Sequence, residues 1–150
     1  MYRLTIKDIL EATGGVLLCG DENTEIKDVC INSKEIKPGD LFVPIIGERV
    51  DAHRFIESAL HTGAETLTSQ HTDIVVSEKP FVYVSDTEKA LQDIGAYVRR
   101  KFKKPVIGVT GSVGKTTTRQ MIATVLSGCL NVYQTEGNLN SQIGVPLTLR

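Results

Sequence analysis

The chain has no tryptophan, and only 5% of its 150 residues are aromatic. That leaves too few rings for the stacking platforms that grip single-stranded nucleic acid. An excess of one charge is missing as well. Seventeen basic residues face eighteen acidic ones, for a net charge of −1. No polyanion-binding surface, and hence no nucleic-acid partner, is expected. Cysteine is scarce: Cys19, Cys30 and Cys129 are odd in number and show no CxxC spacing. This excludes a disulfide framework and points to buried thiols in a reducing compartment. No apolar run approaches the roughly 20 residues of a membrane-spanning helix, and the first residues lack a signal-peptide core. The expectation is a cytoplasmic protein without membrane insertion.

What remains is 41% hydrophobic and 23% charged, the balance of a globular α/β protein. One stretch carries chemistry: Gly108-Val-Thr-Gly-Ser-Val-Gly-Lys-Thr116. It follows an apolar run, Pro105–Val109, that reads as a buried strand. It precedes Thr117–Leu126, which reads as an amphipathic helix. A strand, a glycine-rich turn ending in Lys-Thr, and a helix form the phosphate grip of P-loop proteins. Gly111 and Gly114 let the backbone turn tightly and approach phosphate oxygens. The backbone N–H groups of Gly111, Ser112, Val113 and Gly114 form an anion nest at a helix N-terminus. Lys115 brings a positive charge to the outer phosphates. The Thr116 hydroxyl suits a magnesium ion that bridges them. The strict pattern asks for glycine where Val109 stands; Gly108 is one residue too early.

The organisation divides at about residue 84. Residues 1–84 read as a small mixed α/β domain. A helix over Thr5–Thr13 has Thr5 as its cap, Asp8 at the capping-box position, Leu4 and Ile9 as a staple, and Gly14 as its stop. Extended segments are expected at Val16–Cys19, Ile26–Ile31, Leu41–Ile46, Thr66–Thr68, Ile74–Ser77 and Phe81–Val84. Lys37-Pro-Gly-Asp40 reads as a turn, and Pro44 argues for an edge strand. A helix over Ala52–His61 buries Phe55, Ile56, Ala59 and Leu60. Residues 85–150 read as the first part of a P-loop parallel-sheet ATP-binding domain. Ser85-Asp-Thr-Glu88 opens a helix to Lys101 with the stripe Leu91, Ile94, Val98 and Phe102, and the basic run 99–104 suits its C-terminal dipole. A second strand is expected at Val132–Thr135. Two parallel strands cannot cover their own faces, so the chain is expected to be a piece of a longer protein.

The segment from Gly108 to Thr118 resembles the P-loop of the Mur ligases, whose variant lacks the same early glycine. Glu136-Gly-Asn-Leu-Asn-Ser-Gln-Ile-Gly-Val-Pro-Leu-Thr148 is similar to a second signature of that family. Ile31-Asn-Ser-Lys34, Lys37-Pro-Gly-Asp-Leu-Phe-Val43 and Gly47–Ile56 resemble its N-terminal domain. Asn32-Ser33-Lys34 stands where the family usually has Asp-Ser-Arg, and Ala52 where glycine is common.

The resemblance implies an ATP-dependent carbon–nitrogen ligase of peptidoglycan precursor synthesis. It implies UDP-N-acetylmuramoyl-tripeptide and D-alanyl-D-alanine as substrates, with ATP and magnesium as cofactors. A phosphoryl group passes to the tripeptide carboxylate, and the incoming amine displaces phosphate from the acyl phosphate. On this resemblance Lys115 is the candidate catalytic residue. Gly111, Ser112, Val113, Gly114, Lys115, Thr116 and Thr117 hold nucleotide, with Thr116 on the metal. Ser33, Asn138 and Asn140 face the substrate. Two readings stay open for Ser33 (uridine contact or strand-end hydroxyl), for the asparagines (ligand or turn), and for Asp51 and His53 (substrate side or helix cap). The alternatives are a non-catalytic nucleotide-binding module, another Mur-type enzyme, and a P-loop ATPase, kinase or switch NTPase. The 150 residues alone are expected not to ligate.

Overall fold

Thr5 and Asp8 begin the fold with a reciprocal pair of hydrogen bonds. The Asp8 N–H donates to Thr5 Oγ1 at 3.3 Å, and the Thr5 N–H donates to Asp8 Oδ2 at 2.9 Å. This capping box starts α1 (Ile6–Thr13), and Gly14 ends it at φ +66°. The computed structural model describes residues 3–70 and 78–135. Strand β1 (Leu4–Thr5) pairs antiparallel with β3 (Glu25–Ile26). The main sheet has five strands, in the order β2-β7-β6-β5-β4. Its members are β2 (Val16–Cys19), β4 (Val29–Cys30), β5 (Leu41–Phe42), β6 (Glu65–Thr68) and β7 (Phe81–Tyr83). β4 to β7 run parallel, and β2 joins β7 antiparallel at one edge.

Period-two alternation distributes the core. Leu41, Val43, Leu67 and Val82 point to one face, where α1 and α3 (Thr87–Lys101) cover them with Ile6, Ile9, Leu91, Ile94 and Val98. Phe42 and Phe81 point to the other face and meet Ile56, Ala59 and Leu60 of α2 (Ile56–Thr62). The result is three layers, helix–sheet–helix.

Several expectations change. Ile26–Ile31 is not one strand: Glu25–Ile26 and Val29–Cys30 join different sheets. β5 is interior, between β4 and β6, and it ends before Pro44, so the proline removes no ladder bond. The second helix begins as a 3-10 turn, Ala52–Phe55. The cap of α3 is Asp86, not Ser85, because its side chain is the one that accepts from the Lys89 N–H. Phe102 lies beyond the helix and is exposed. Cys129 is exposed, and Cys19 and Cys30 are half-buried. The turn at 37–40 forms as expected, with Gly39 at φ +89° and the Asp40 N–H on the Lys37 carbonyl. The segment Ile74–Ser77 lies outside the described residues.

Helix α3 shares its core with the first block, although the sequence assigns it to the second. Besides its apolar stripe, Tyr97 reaches α1: its hydroxyl lies 2.6 Å from Asp8 Oδ1 and 2.9 Å from Glu11 Oε2. Lys101 Nζ donates to the same Asp8 oxygen at 2.9 Å and sits 4.2 Å above the Tyr97 ring. Burial by itself would raise the Asp8 carboxyl. Hydrogen bonds from Tyr97, Lys101 and Thr5 outweigh it and hold Asp8 well below the usual carboxylate range. Burial and the bond to Asp8 push the Tyr97 hydroxyl up to about 12.

After Phe102 the packing thins. Val106 and Ile107 are exposed, and no strand forms among the described residues from 103 to 135. The apolar runs 105–109 and 132–135 therefore do not make the two strands expected of them; neither has a ladder partner in the described structure. Helix α4 (Lys115–Ser127) forms, with Ala123 its one buried residue.

Candidate functional site

Two places gather the candidate residues. The first is the edge where parallel strands β4 to β7 end. Open α/β sheets bind ligands outside the carboxyl ends of such strands. The exits of β4, β5 and β6 carry, in turn, Asn32-Ser33-Lys34, the loop from Pro44 to Asp51, and Ser69-Gln70.

Asn32 is spent on its own turn. Its Oδ1 accepts from the Lys34 N–H at 3.1 Å, and its Nδ2 donates to Glu35 Oε1 at 2.8 Å. Ser33 is half-buried, and its hydroxyl makes no hydrogen bond among the described residues. It remains able to meet a ligand. The loop after β5 closes on itself, with the Gly47 N–H on the Val50 carbonyl at 3.0 Å and Ile46 bridged to Asp51. Ile46 and Val50 are exposed on it. Its base is anchored from below: Thr87 Oγ1, buried at the start of α3, donates to the Pro44 carbonyl at 2.5 Å.

Asp51 is a helix cap, since its Oδ1 accepts from the His53 N–H at 2.9 Å. His53 is not a cap. Its ring is buried, with Nδ1 2.7 Å from Asp51 Oδ1 and Nε2 within 3.1 Å of both the Ser69 N–H and Oγ. Burial alone would raise the Asp51 carboxyl; the His53 backbone N–H and ring outweigh it and lower it. The sequence offers Asp-x-His as a local hint of this arrangement. It offers nothing for Ser69, sixteen residues on, or for Thr87.

The second place is the turn before α4. Gly111 takes φ +147° and Gly114 takes φ +79°, both disfavoured for residues with a Cβ. Gly114 is the N-cap of α4, no side chain among the described residues caps the helix, and no acidic residue stands in its first turn. The N-terminal N–H groups and the positive end of the helix dipole are thus left for an anion. Lys115 Nζ folds back to the Gly111 carbonyl at 2.5 Å. Thr116 and Thr117 are exposed in the first helical turn, and Ser112 and Val113 are exposed in the loop. Donor chemistry and glycine placement fit a nucleotide's phosphates. Asn138 and Asn140 lie outside the described residues. The basic run 99–104 closes α3 instead of forming a third site. Arg99 donates to the Phe102 carbonyl, Lys103 to the Arg100 carbonyl, and Lys101 is engaged by Asp8.

Comparison with known proteins bears on both places. Residues 25–100 match the pattern of the Mur ligase family, catalytic domain, and residues 109–150 match the Mur ligase middle domain. The UDP-N-acetylmuramoyl-tripeptide–D-alanyl-D-alanine ligase of Synechocystis is 43% identical over 129 residues, which are 85% of this chain and 28% of that protein. A crystal structure of MurF from Acinetobacter baumannii superposes with a TM-score of 0.88 at 34% identity, over 99% of this chain and 33% of that one. MurF from Thermotoga maritima, solved in complex with ADP, superposes with a TM-score of 0.71 at 35% identity, over 81% of this chain and 28% of that one. The chain thus spans about a third of the length of the relatives it matches. Half of the chain matches the family's catalytic-domain pattern, its phosphate-type turn lies in the part that matches the middle domain, and its fold superposes on solved MurF structures: the chain belongs to the Mur ligase family.

Proposed function

We propose that this chain supplies the UDP-muropeptide-binding part and the ATP phosphate grip of a ligase that joins D-alanyl-D-alanine to UDP-N-acetylmuramoyl-tripeptide. The observation that carries the reading is the uncapped α4 N-terminus. It is preceded by two left-handed glycines and followed by Lys115 and Thr116, in a chain whose fold superposes on MurF. The boundary between the two functions falls in the exposed stretch after Phe102, since α3 packs with the first block.

In this reading the N–H groups of Gly111, Ser112, Val113 and Gly114 bind phosphate oxygens, and Thr117 completes the set. Lys115 gives up the Gly111 carbonyl and neutralises the outer phosphates. The Thr116 hydroxyl would hold magnesium. ATP, when bound, supplies the phosphoryl group that turns the tripeptide carboxylate into an acyl phosphate with a good leaving group. The chain's own residues bind, orient and offset charge. Ser33 holds the uridine end, and substrate binding is the role proposed for Asn138 and Asn140.

The test is calorimetric titration of the 150 residues with ATP and with UDP-N-acetylmuramoyl-tripeptide. Lys115→Ala should reduce ATP affinity at least about tenfold, the loss of one charge-assisted contact, without changing the circular dichroism spectrum. Undiminished ATP binding by that variant would sink the P-loop assignment. Ligation itself is measured on a polypeptide of the relatives' length.

A further inference from the structure

His53 is a buried imidazole whose two nitrogens have fixed roles. The Asp51 carboxylate can only accept, so Nδ1 carries the proton. The Ser69 backbone N–H can only donate, so Nε2 is bare and accepts at 3.1 Å. The Ser69 hydroxyl shares that acceptor at 3.0 Å, and the nearby Gln70 side chain helps to lower the Asp51 carboxyl. The ring order is that of a hydrolytic Asp-His-Ser triad, but the chemistry differs. Ser69 spends its own N–H on the imidazole, where a nucleophilic serine would aim it at an oxyanion.

The arrangement instead ties two loops that only tertiary structure brings together. One is the loop from Ile46 to Asp51, which presents exposed Ile46 and Val50. The other is the exit of β6. Both lie at the carboxyl edge of the parallel strands, as does Ser33, whose hydroxyl is uncommitted among the described residues. Two aliphatic side chains and a ready hydroxyl on a pinned rim suit a ligand with a flat face and polar edges, such as a nucleoside.

We propose that Asp51, His53 and Ser69 form a positioning relay that sets this rim for the UDP end of the substrate; the proposal rests on the function given above. The three residues act through the loops they hold and touch no reacting atom.

The relay is tested by titrating the 150-residue chain with UDP-N-acetylmuramoyl-tripeptide, with ATP affinity as the internal control. His53→Gln should weaken muropeptide binding about tenfold, or 1.4 kcal/mol, and leave ATP binding unchanged. Asp51→Ala should behave alike, and Asp51→Asn, which keeps an Oδ1 acceptor, should recover most of the loss. Nitrogen-15 spectra of the His53 ring should show the Nδ1–H tautomer. Unchanged muropeptide affinity in His53→Gln overturns the relay and leaves the functional reading standing. Failure of the unsubstituted chain to bind the muropeptide overturns both. If His53→Gln does not fold, Ser69→Ala decides, since it removes one hydroxyl and keeps the N–H. A loss of about threefold is expected from the missing neutral hydrogen bond, and no loss overturns the proposal.

Discussion

Replacing Tyr97 by phenylalanine removes one oxygen from the joint between α1 and α3, and the structure sets what that costs. The hydroxyl has a single proton but two carboxylates in reach, Asp8 at 2.6 Å and Glu11 at 2.9 Å. The shorter contact is with Asp8, so the proton is placed there and the Glu11 oxygen faces a lone pair. A hydrogen bond to a charged group contributes about 1.5–3 kcal/mol. Asp8 keeps Thr5 and Lys101 as partners, and the Glu11 contact is relieved. We therefore expect the low end, about 1.5 kcal/mol, or a melting temperature lower by about 6 °C or more for a unit of roughly 100 residues. The assay is thermal unfolding followed by circular dichroism, for the parent chain, Tyr97→Phe, Asp8→Ala and the double variant. The cycle should show a coupling of about 1 kcal/mol, because both changes break the same bond. The pH dependence has a definite sign. The folded Asp8 carboxyl is depressed below its ordinary value of 3.8. Its contribution is complete above 3.8 and fades as pH falls toward the folded value. The gap between parent and Tyr97→Phe should therefore narrow in acid. A deficit under about 2 °C at neutral pH, or one that widens as pH falls below 3.8, would refute the reasoning.

Three more expectations follow from the geometry. Gly20→Ala should cost about 3 kcal/mol, since the residue sits at φ +88° and an added Cβ would lie 2.5 Å from Pro80 Cα; a chain that melts like the parent would contradict it. Burial raises the Glu65 carboxyl, the nearby Asp40 adds to this, and Oε2 has no hydrogen-bond partner among the described residues. The parent then loses stability as pH rises above 4.5 through the folded value, and Glu65→Gln should gain on it from pH 4 to 7 in denaturant titrations. A constant difference across that range would show that Glu65 does not titrate as described. Ser33→Ala should weaken UDP-muropeptide binding and spare ATP; equal loss for both ligands would mean a folding defect.

What the sequence discloses about this fold is mostly local. The Thr5–Asp8 box, the turn at Gly39 and the stop at Gly14 each depend on residues within a few positions, and all form. Strand membership is not local. Nothing in Ile26–Ile31 says that its two halves serve different sheets, and Pro44 reads as an edge signal although the strand simply ends before it. At β6 burial runs against composition: Glu65, Thr66, Leu67 and Thr68 include one apolar side chain, yet all four are buried in the middle of the sheet. The phosphate-type turn is legible because its glycines and lysine are contiguous. The contacts of His53 with Ser69, and of Tyr97 with Asp8, span 16 and 89 positions and leave no periodic trace. Apolar character alone also misleads at Val106 and Ile107, where a strand needs neighbours to become one.

Helix α3 joins these regions mechanically. Its first residue is bonded beneath the Pro44 loop, its middle is locked to α1, and its last residue leads, seven positions on, to Gly108. Fifteen helical residues make a rod of about 22 Å. Held at Thr87, Tyr97 and Lys101, it cannot turn without α1 and the Pro44 loop turning with it. Over that length a tilt of about 5° would displace one end by about 2 Å, enough to break the bond at Thr87 or the one at Lys101, so these anchors keep the Pro44 loop and the start of the chain toward Gly108 in fixed register.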